Sequence, residues 1–177
     1  IINNYRAGYE ATSHLIDQGC KNIVHLGGSL NRNVYSDRFS GYKQALIDHG
    51  FPVFADSLIV SDLSNDAGVE AAKTILHQEK RPDGIFCAND NSAVSLMCEL
   101  KQAGVRIPGD ICIVGFNDDP VSRVVEPNLT TIHYPGREMG EIAASILINT
   151  LKNNQTNMLN SFVLAHSLLV RHSSRRK

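Results

Sequence analysis

The sequence predicts an α/β fold built on a parallel sheet, on three observations. Short apolar runs alternate with helix-like segments along the 177 residues, the signature of repeated βαβ units. Four of those runs end in small or polar clusters: Leu26-Gly27-Gly28-Ser29, Val60-Ser61-Asp62, Cys87-Ala88-Asn89-Asp90 and Val114-Gly115-Phe116-Asn117-Asp118-Asp119. Gly84-Ile85-Phe86-Cys87 is apolar without alternation, as befits a strand covered on both faces. Ligands of such open sheets sit beyond the carboxyl ends of the strands, so the four clusters lie where a ligand would be held.

The elements follow in order. A helix opens near Ala7, where Tyr9, Ala11, Thr12, Leu15 and Ile16 give an apolar side, and Gly19 stops it. Residues 22–26 form a strand ending at Gly27-Gly28. After a polar loop, Ser36 caps a helix that runs through Phe39, Tyr42, Leu46 and Ile47 to Gly50. Leu58-Ile59-Val60 is the second strand, and Asn65 or Asp66 starts a helix holding Val69, Ala72, Ile75 and Leu76. Pro82-Asp83 turns into the strand at 84–87, and the next helix, with Ala93, Val94, Leu96, Met97 and Leu100, stops at Gly104. Pro108-Gly109-Asp110 leads into a strand at 111–114. Leu129-Thr130-Thr131-Ile132 is extended again. Pro135 suits the first turn of a long helix striped by Met139, Ile142, Ala143, Ile146, Leu147 and Leu151. A polar loop at 153–157 and one or two strands within 162–170 close the pattern.

Net charge is −1 with the histidines neutral, which excludes an overall basic footprint for nucleic acid. The basic end His172-Ser173-Ser174-Arg175-Arg176-Lys177 reads as a solvated terminus rather than a DNA-contacting arm. No apolar stretch approaches the length that spans a bilayer, and no signal-peptide pattern opens the chain. The chain starts without Met on what reads as a strand end, so a fragment of a longer protein is expected. Cys20, Cys87, Cys98 and Cys112 show neither C-x-x-C spacing nor a histidine at zinc-site intervals; they read as reduced thiols of a cytosolic protein.

Catalytic signatures are missing. Gly27-Gly28 belongs to neither G-x-G-x-x-G nor G-x-x-x-x-G-K-[ST], and no G-x-S-x-G elbow occurs. His25 lies within a strand and reads as a satisfied core or edge residue. Asp118-Asp119 are adjacent, so in extended backbone they point to opposite faces and cannot flank one bond. No cofactor is expected, and a binding module is favoured over an α/β enzyme. Arg38 falls on the first turn of a helix after a strand-end loop. There it can fork onto hydroxyls or a carboxylate of a ligand, or pair with Asp37 or Asp62 on the surface. Asn89 and Asn117 end neighbouring strands and offer both donor and acceptor. Asp90 reads first as a helix cap and second as a ligand contact.

Five spaced motifs together resemble the lac repressor/galactose repressor family of bacterial transcription regulators. They are Ser36-Asp37-Arg38-Phe39-Ser40-Gly41-Tyr42, Pro82 to Asp90, Ile107 to Asp118, Pro127-Asn128-Leu129-Thr130-Thr131-Ile132 and Leu168-Leu169-Val170-Arg171-His172-Ser173. The resemblance implies a three-layer sandwich of the type I periplasmic-binding-protein kind, mostly its C-terminal lobe. It assigns 1–20 to the end of the N-terminal lobe, 21–132 to the C-terminal effector-binding lobe, and 133–154 to a crossover helix of the N-terminal lobe. Residues 155–177 become the last strands and a basic tail, with the DNA-binding domain outside the chain.

The same resemblance implies roles. Arg38 matches the arginine that grips the effector, Asn89 a strand-end residue reaching ligand hydroxyls, and Arg32 a residue of the loop that touches the base in the purine-responsive member. Leu63 stands near a position that is often aromatic, and Asn117 where many members have aspartate. Ala93, Met97 and Leu100, with Val121, Val124 and Val125, become dimer-interface candidates. The implied function is effector sensing and dimerisation within a cytoplasmic DNA-binding regulator. Its partners would be a sugar-like or nucleobase-like molecule, operator DNA through the missing domain, and a second copy, with no membrane. The rival is a periplasmic sugar-binding protein for transport or chemotaxis.

Overall fold

A computed structural model of the chain describes residues 1–153 and 161–176. Six strands form one sheet: β1 (Ile23–Gly27), β2 (Leu58–Val60), β3 (Gly84–Cys87), β4 (Cys112–Asn117), β5 (Thr130–His133) and β6 (Ser167–Leu169). Their spatial order is β2-β1-β3-β4-β5-β6; the first five are parallel, and β6 returns antiparallel to β5. The fold is thus the expected α/β class. β1 and β3 are buried along their whole length, which is why β3 reads as an unbroken apolar run and β1 departs from one only at His25. β4 continues three residues past its predicted end at Val114, carrying Phe116 into the core and Asn117 to the rim.

Four helices cover the sheet in pairs. On one face lie α1 (Asn4–Asp17) and α2 (Asn33–Asp48); on the other lie α3 (Asn65–Leu76) and α4 (Asp90–Gln102). Side-chain caps explain three of the starts: Asn3 accepts from Arg6 N–H, Ser64 from Ala67 N–H and Asn89 from Ser92 N–H. α2 departs from expectation. It begins at Asn33 with Arg32 as an uncapped N-cap, so Ser36 lies inside the helix, its hydroxyl bonded back to the Asn33 carbonyl. The predicted stops Gly19, Gly50 and Gly104 all take positive φ, which glycine adopts without strain.

Three sequence-based assignments are overturned by packing. Residues 1–20 do not belong to another lobe: Ala7, Ala11 and Leu15, one helical stripe of α1, share a core with Phe86, Cys112, Phe116 and Ile132 of the sheet. Ala93, Met97 and Leu100 are wholly buried between α4, α3 and the sheet, so none has surface for a partner. An α4 with apolar residues on several sides does not announce which side meets the sheet. Nor is the C-terminal end a solvated tail, because Ser173 and Ser174 are wholly buried. Ser173 Oγ donates to the Ile113 carbonyl at 2.6 Å, Ser174 Oγ bonds Thr130 Oγ1 at 2.7 Å, and Arg176 Nε donates to the Pro108 carbonyl at 2.7 Å. Hydrogen bonds to the sheet anchor this segment where apolar contacts do not.

The region after β5 behaves otherwise. A short helix α5 (Val121–Val124) precedes β5, and the long α6 (Gly136–Asn153) follows it. The α6 stripe that a globular helix would bury is open: Ile146, Leu147 and Leu151 are exposed, and only Met139 and Ile142 are half-buried. Residues 154–157 of the polar loop expected at 153–157, and Lys177 of the basic end, lie outside the described residues. His25 is core, its Nδ1 bonded to the Phe86 carbonyl at 2.9 Å, and its ring stacks against Phe39, Tyr42 and Phe86. It is not fully satisfied, since its Nε2 has no partner among the described residues. Burial draws its pKa down to about 4, so the ring is neutral near pH 7.

Candidate ligand-binding site

The carboxyl ends of β3, β4 and β5 open onto a cavity of about 370 Å³, within the range of small-molecule sites. Its position depends on a close crossing of α1 and α2. A Cβ on Gly8 would overlap the Arg38 carbonyl, and one on Gly41 would overlap the Tyr5 carbonyl. Two glycines thus let the helix backbones touch, and the touch seats Arg38 against α1.

Arg38 is 6% exposed. Its Nε donates to Asn4 Oδ1 at 2.9 Å and its Nη1 to the Ala88 carbonyl at 2.8 Å. The guanidinium carbon lies 3.4 Å from the centroid of the Phe116 ring and 5.7 Å from that of Tyr35. Among the described residues no carboxylate pairs with it, so neither Asp37 nor Asp62 is its partner. Burial draws its pKa down to about 10, with the nearby Tyr35 and Tyr134 phenols acting the other way; it stays charged at neutral pH. Of its five N–H donors the protein takes two, which leaves most of the fork for something in the cavity.

Asn89 and Asn117 also line the cavity, but differently. Asn89 Oδ1 accepts from Ser92 N–H at 2.9 Å and Ser92 Oγ at 2.6 Å, and its Nδ2 donates to the Leu63 carbonyl at 3.0 Å. Its amide is first a helix cap and a tie to the β2–α3 loop. Asn117 takes positive φ and donates from Nδ2 to Asp119 Oδ2 at 3.3 Å, while its Oδ1 has no partner among the described residues. Asn4, Tyr35, Tyr134 and Met139 complete the wall with Val34 and Ala88. Sequence motifs missed Asn4, the first residue of α1, and Tyr134, which follows β5, because neither stands in a recognisable pattern; the docking of α1 on α2 and the end of β5 bring them in.

Three expected contacts are not on the wall. Leu63, which takes positive φ, is 4% exposed and its side chain joins the α3–α4 core. Only its carbonyl serves the site, through Asn89. Asp90 is wholly buried, accepting from Thr131 Oγ1 at 2.7 Å and from Asp119 N–H at 2.7 Å. It neither caps α4 nor lines the cavity: Asn89 caps, and Asp90 locks α4 to β5 and to the loop after β4. Arg32 stands exposed at the tip of α2, and Val34 and Tyr35 of the following turn face the cavity in its place.

Beside the cavity, Asp118 is saturated. Its carboxylate meets Arg171 Nη2 at 2.6 Å, Arg123 Nη2 at 2.6 Å and His133 Nδ1 at 3.3 Å. Burial alone would raise its pKa, but hydrogen bonds from Arg123 and Arg171 hold it at about 2. The described residues contain no cluster of His, Cys, Asp or Glu able to hold a metal, and no helix long and apolar enough to cross a membrane.

A family model described as a periplasmic binding protein-like domain matches residues 12–174. The transcriptional repressor PurR of Vibrio campbellii is 36% identical over 155 residues, 88% of this chain and 46% of the relative. The chain spans about half the length of the curated relatives it matches. Among solved structures, the transcription regulator CcpA of Lactococcus lactis superposes with a TM-score of 0.91 at 26% identity, covering 98% of this chain and 63% of that one. The regulator CelR in complex with cellobiose gives 0.90 at 29% identity, covering 97% and 52%. The chain belongs to the periplasmic binding protein-like domain family, and the PurR, CcpA and CelR proteins to which it is similar are transcription regulators.

Proposed function

We propose that the cavity holds a small-molecule effector and that binding there alters operator recognition by a longer, dimeric, cytoplasmic regulator. The observation that carries this is Arg38, a nearly buried guanidinium whose unused donors open on the cavity. A binding role suits relatives that are transcriptional repressors, and one solved neighbour is complexed with a disaccharide. Asn117 offers the effector an unpaired acceptor, and Tyr35 and Tyr134 offer phenols. Asn89 contributes mainly by shaping the wall.

The effector works by favouring one arrangement of two lobes over another, a population shift without a chemical step. The path from β5 into α6, residues 131–135, is one of the crossings that would flex. Operator DNA is met by a domain outside this chain. A second copy docks on the surface around α5, where Val124 is 80% exposed and Val121 and Val125 are half-buried. Arg32 stands at the mouth of the site, where a bound effector or a closing lobe can meet it.

In the whole regulator, Arg38→Gln abolishes the effector-dependent change in operator binding while leaving the far-ultraviolet circular dichroism intact; a full response from that variant overturns the reading. Val124→Asp converts the dimer to monomer in sedimentation with little loss of melting temperature. An unchanged dimer would place the interface elsewhere.

A further inference from the structure

Among the described residues lining the cavity, Arg38 carries the one charged side chain. The polar remainder is three amides, Asn4, Asn89 and Asn117, and two phenols, Tyr35 and Tyr134. Among the described residues no acid balances that charge. Asp118, next to the wall, is taken by Arg123 and Arg171, and Asp119 accepts from Asn117 Nδ2 at 3.3 Å. Asp90 faces Thr131 and the Asp119 amide on the far side of the strand ends.

The guanidinium is tolerated because one edge still reaches the open cavity while its face lies on the Phe116 ring. A ligand that fills the cavity removes that last access to solvent. If the ligand is neutral, it leaves a cation enclosed without a counter-charge, the costly half of a broken ion pair. If it carries an oxyanion, the free Nη2 edge of the fork meets it in charge-assisted hydrogen bonds, and enclosure strengthens the pair.

We propose that the effector is an anion: a sugar- or nucleobase-sized molecule whose carboxylate or phosphate oxygens seat on Arg38 while its body lies between Tyr35 and Tyr134. This rests on the effector reading above and adds the charge of the ligand to it. The nearby amides then recognise the neutral part, Asn117 Oδ1 accepting from a hydroxyl or N–H. The aliphatic side of the wall, Val34 and Met139, has no use for charge.

Inorganic phosphate and acetate are the probes, titrated into the whole regulator. The Arg38 Nε–H signal is followed by nitrogen-15 NMR and the melting temperature by calorimetry. Either ion should shift that signal and raise the melting temperature, with an effect that shrinks as sodium chloride is added. Whichever ion acts at lower concentration separates phosphate from carboxylate ligands. Arg38→Gln should weaken the effect by about tenfold or more, and Arg38→Lys should retain part of it. An Arg38 signal unmoved by both ions overturns the proposal, as does an equal effect in Arg38→Gln. If glucose, cellobiose or hypoxanthine binds instead and needs Arg38, the effector reading stands and the anion does not. If one of them binds regardless of Arg38→Gln, the site itself lies elsewhere and both fall.

Discussion

Two arginines pack against the same sheet, and their surroundings differ in one respect. Arg171 meets an acid, with Nη2 on Asp118 Oδ1 at 2.6 Å and Nη1 on Ser122 Oγ at 2.9 Å and the Leu129 carbonyl at 2.8 Å. Arg38 is more deeply buried, yet among the described residues it hydrogen-bonds only an amide and a carbonyl and otherwise lies on aromatic rings. The first is tied into a knot that joins β4, α5, β5 and the chain's C-terminal segment; the second is left open toward a cavity. A charge whose partners are all internal contributes to stability, whereas one left partly unpartnered is held for a ligand. The two regions should therefore fail differently when altered.

The largest loss is expected from Asp118→Ala, which leaves Arg171 and Arg123 without their shared acid. Breaking such a pair from one side should lower unfolding free energy by about 3 kcal/mol, read from the urea midpoint. A loss near zero would mean that the knot is decorative, and the comparison would collapse.

pH separates the acids next. Asp118, held at about 2 against an unfolded value of about 3.9, contributes stability that is full above pH 4 and lost as pH falls toward 2. Asp90 has the opposite sign: burial raises its pKa to about 7, against hydrogen bonds from Thr131 and Asp119. Its folded form binds a proton that the unfolded chain has already released. Stability therefore declines as pH rises from about 4 to about 7. Urea midpoints at pH 3, 5 and 8 should show both arms. Asp90→Asn should flatten the upper arm only, and Asp118→Asn the lower only.

The smallest stability change belongs to Arg38→Gln. It surrenders two hydrogen bonds but relieves an uncompensated buried charge, so the net shift should stay within about 1 kcal/mol. Destabilisation as great as that of Asp118→Ala would show that Arg38 is structural after all.

Most of the sheet was legible because a parallel strand buried on both faces must be apolar throughout, as in 84–87, and because glycine is what allows positive φ after a helix, as at Gly19, Gly50 and Gly104. Arg38 was legible by its place after a strand-end loop. Its lack of an acid was not, since Asp37 and Asp62 are near in sequence and pair with it nowhere in space. Met97 and Val124 look equally apolar in the sequence, yet one is wholly buried and the other 80% exposed. Helical periodicity marks a face without saying what covers it. Ser173 and Ser174 read as solvent-facing because their partners, Ile113 and Thr130, are distant along the chain.

Element order, parallel pairing and the edge at which a ligand sits follow from local chemistry: apolar runs, caps, and glycines where φ turns positive. They need no knowledge of distant contacts. Which of several polar residues at that edge are spent on the protein, and which stay open, depends on neighbours far apart in the chain. Asn89 is spent on α4 and Leu63, Asp118 on two arginines, and Asp90 on Thr131. Arg38, the charged side chain on the cavity wall, keeps donors in hand, because two glycines let α1 and α2 close around it while none of the described carboxylates pairs with it.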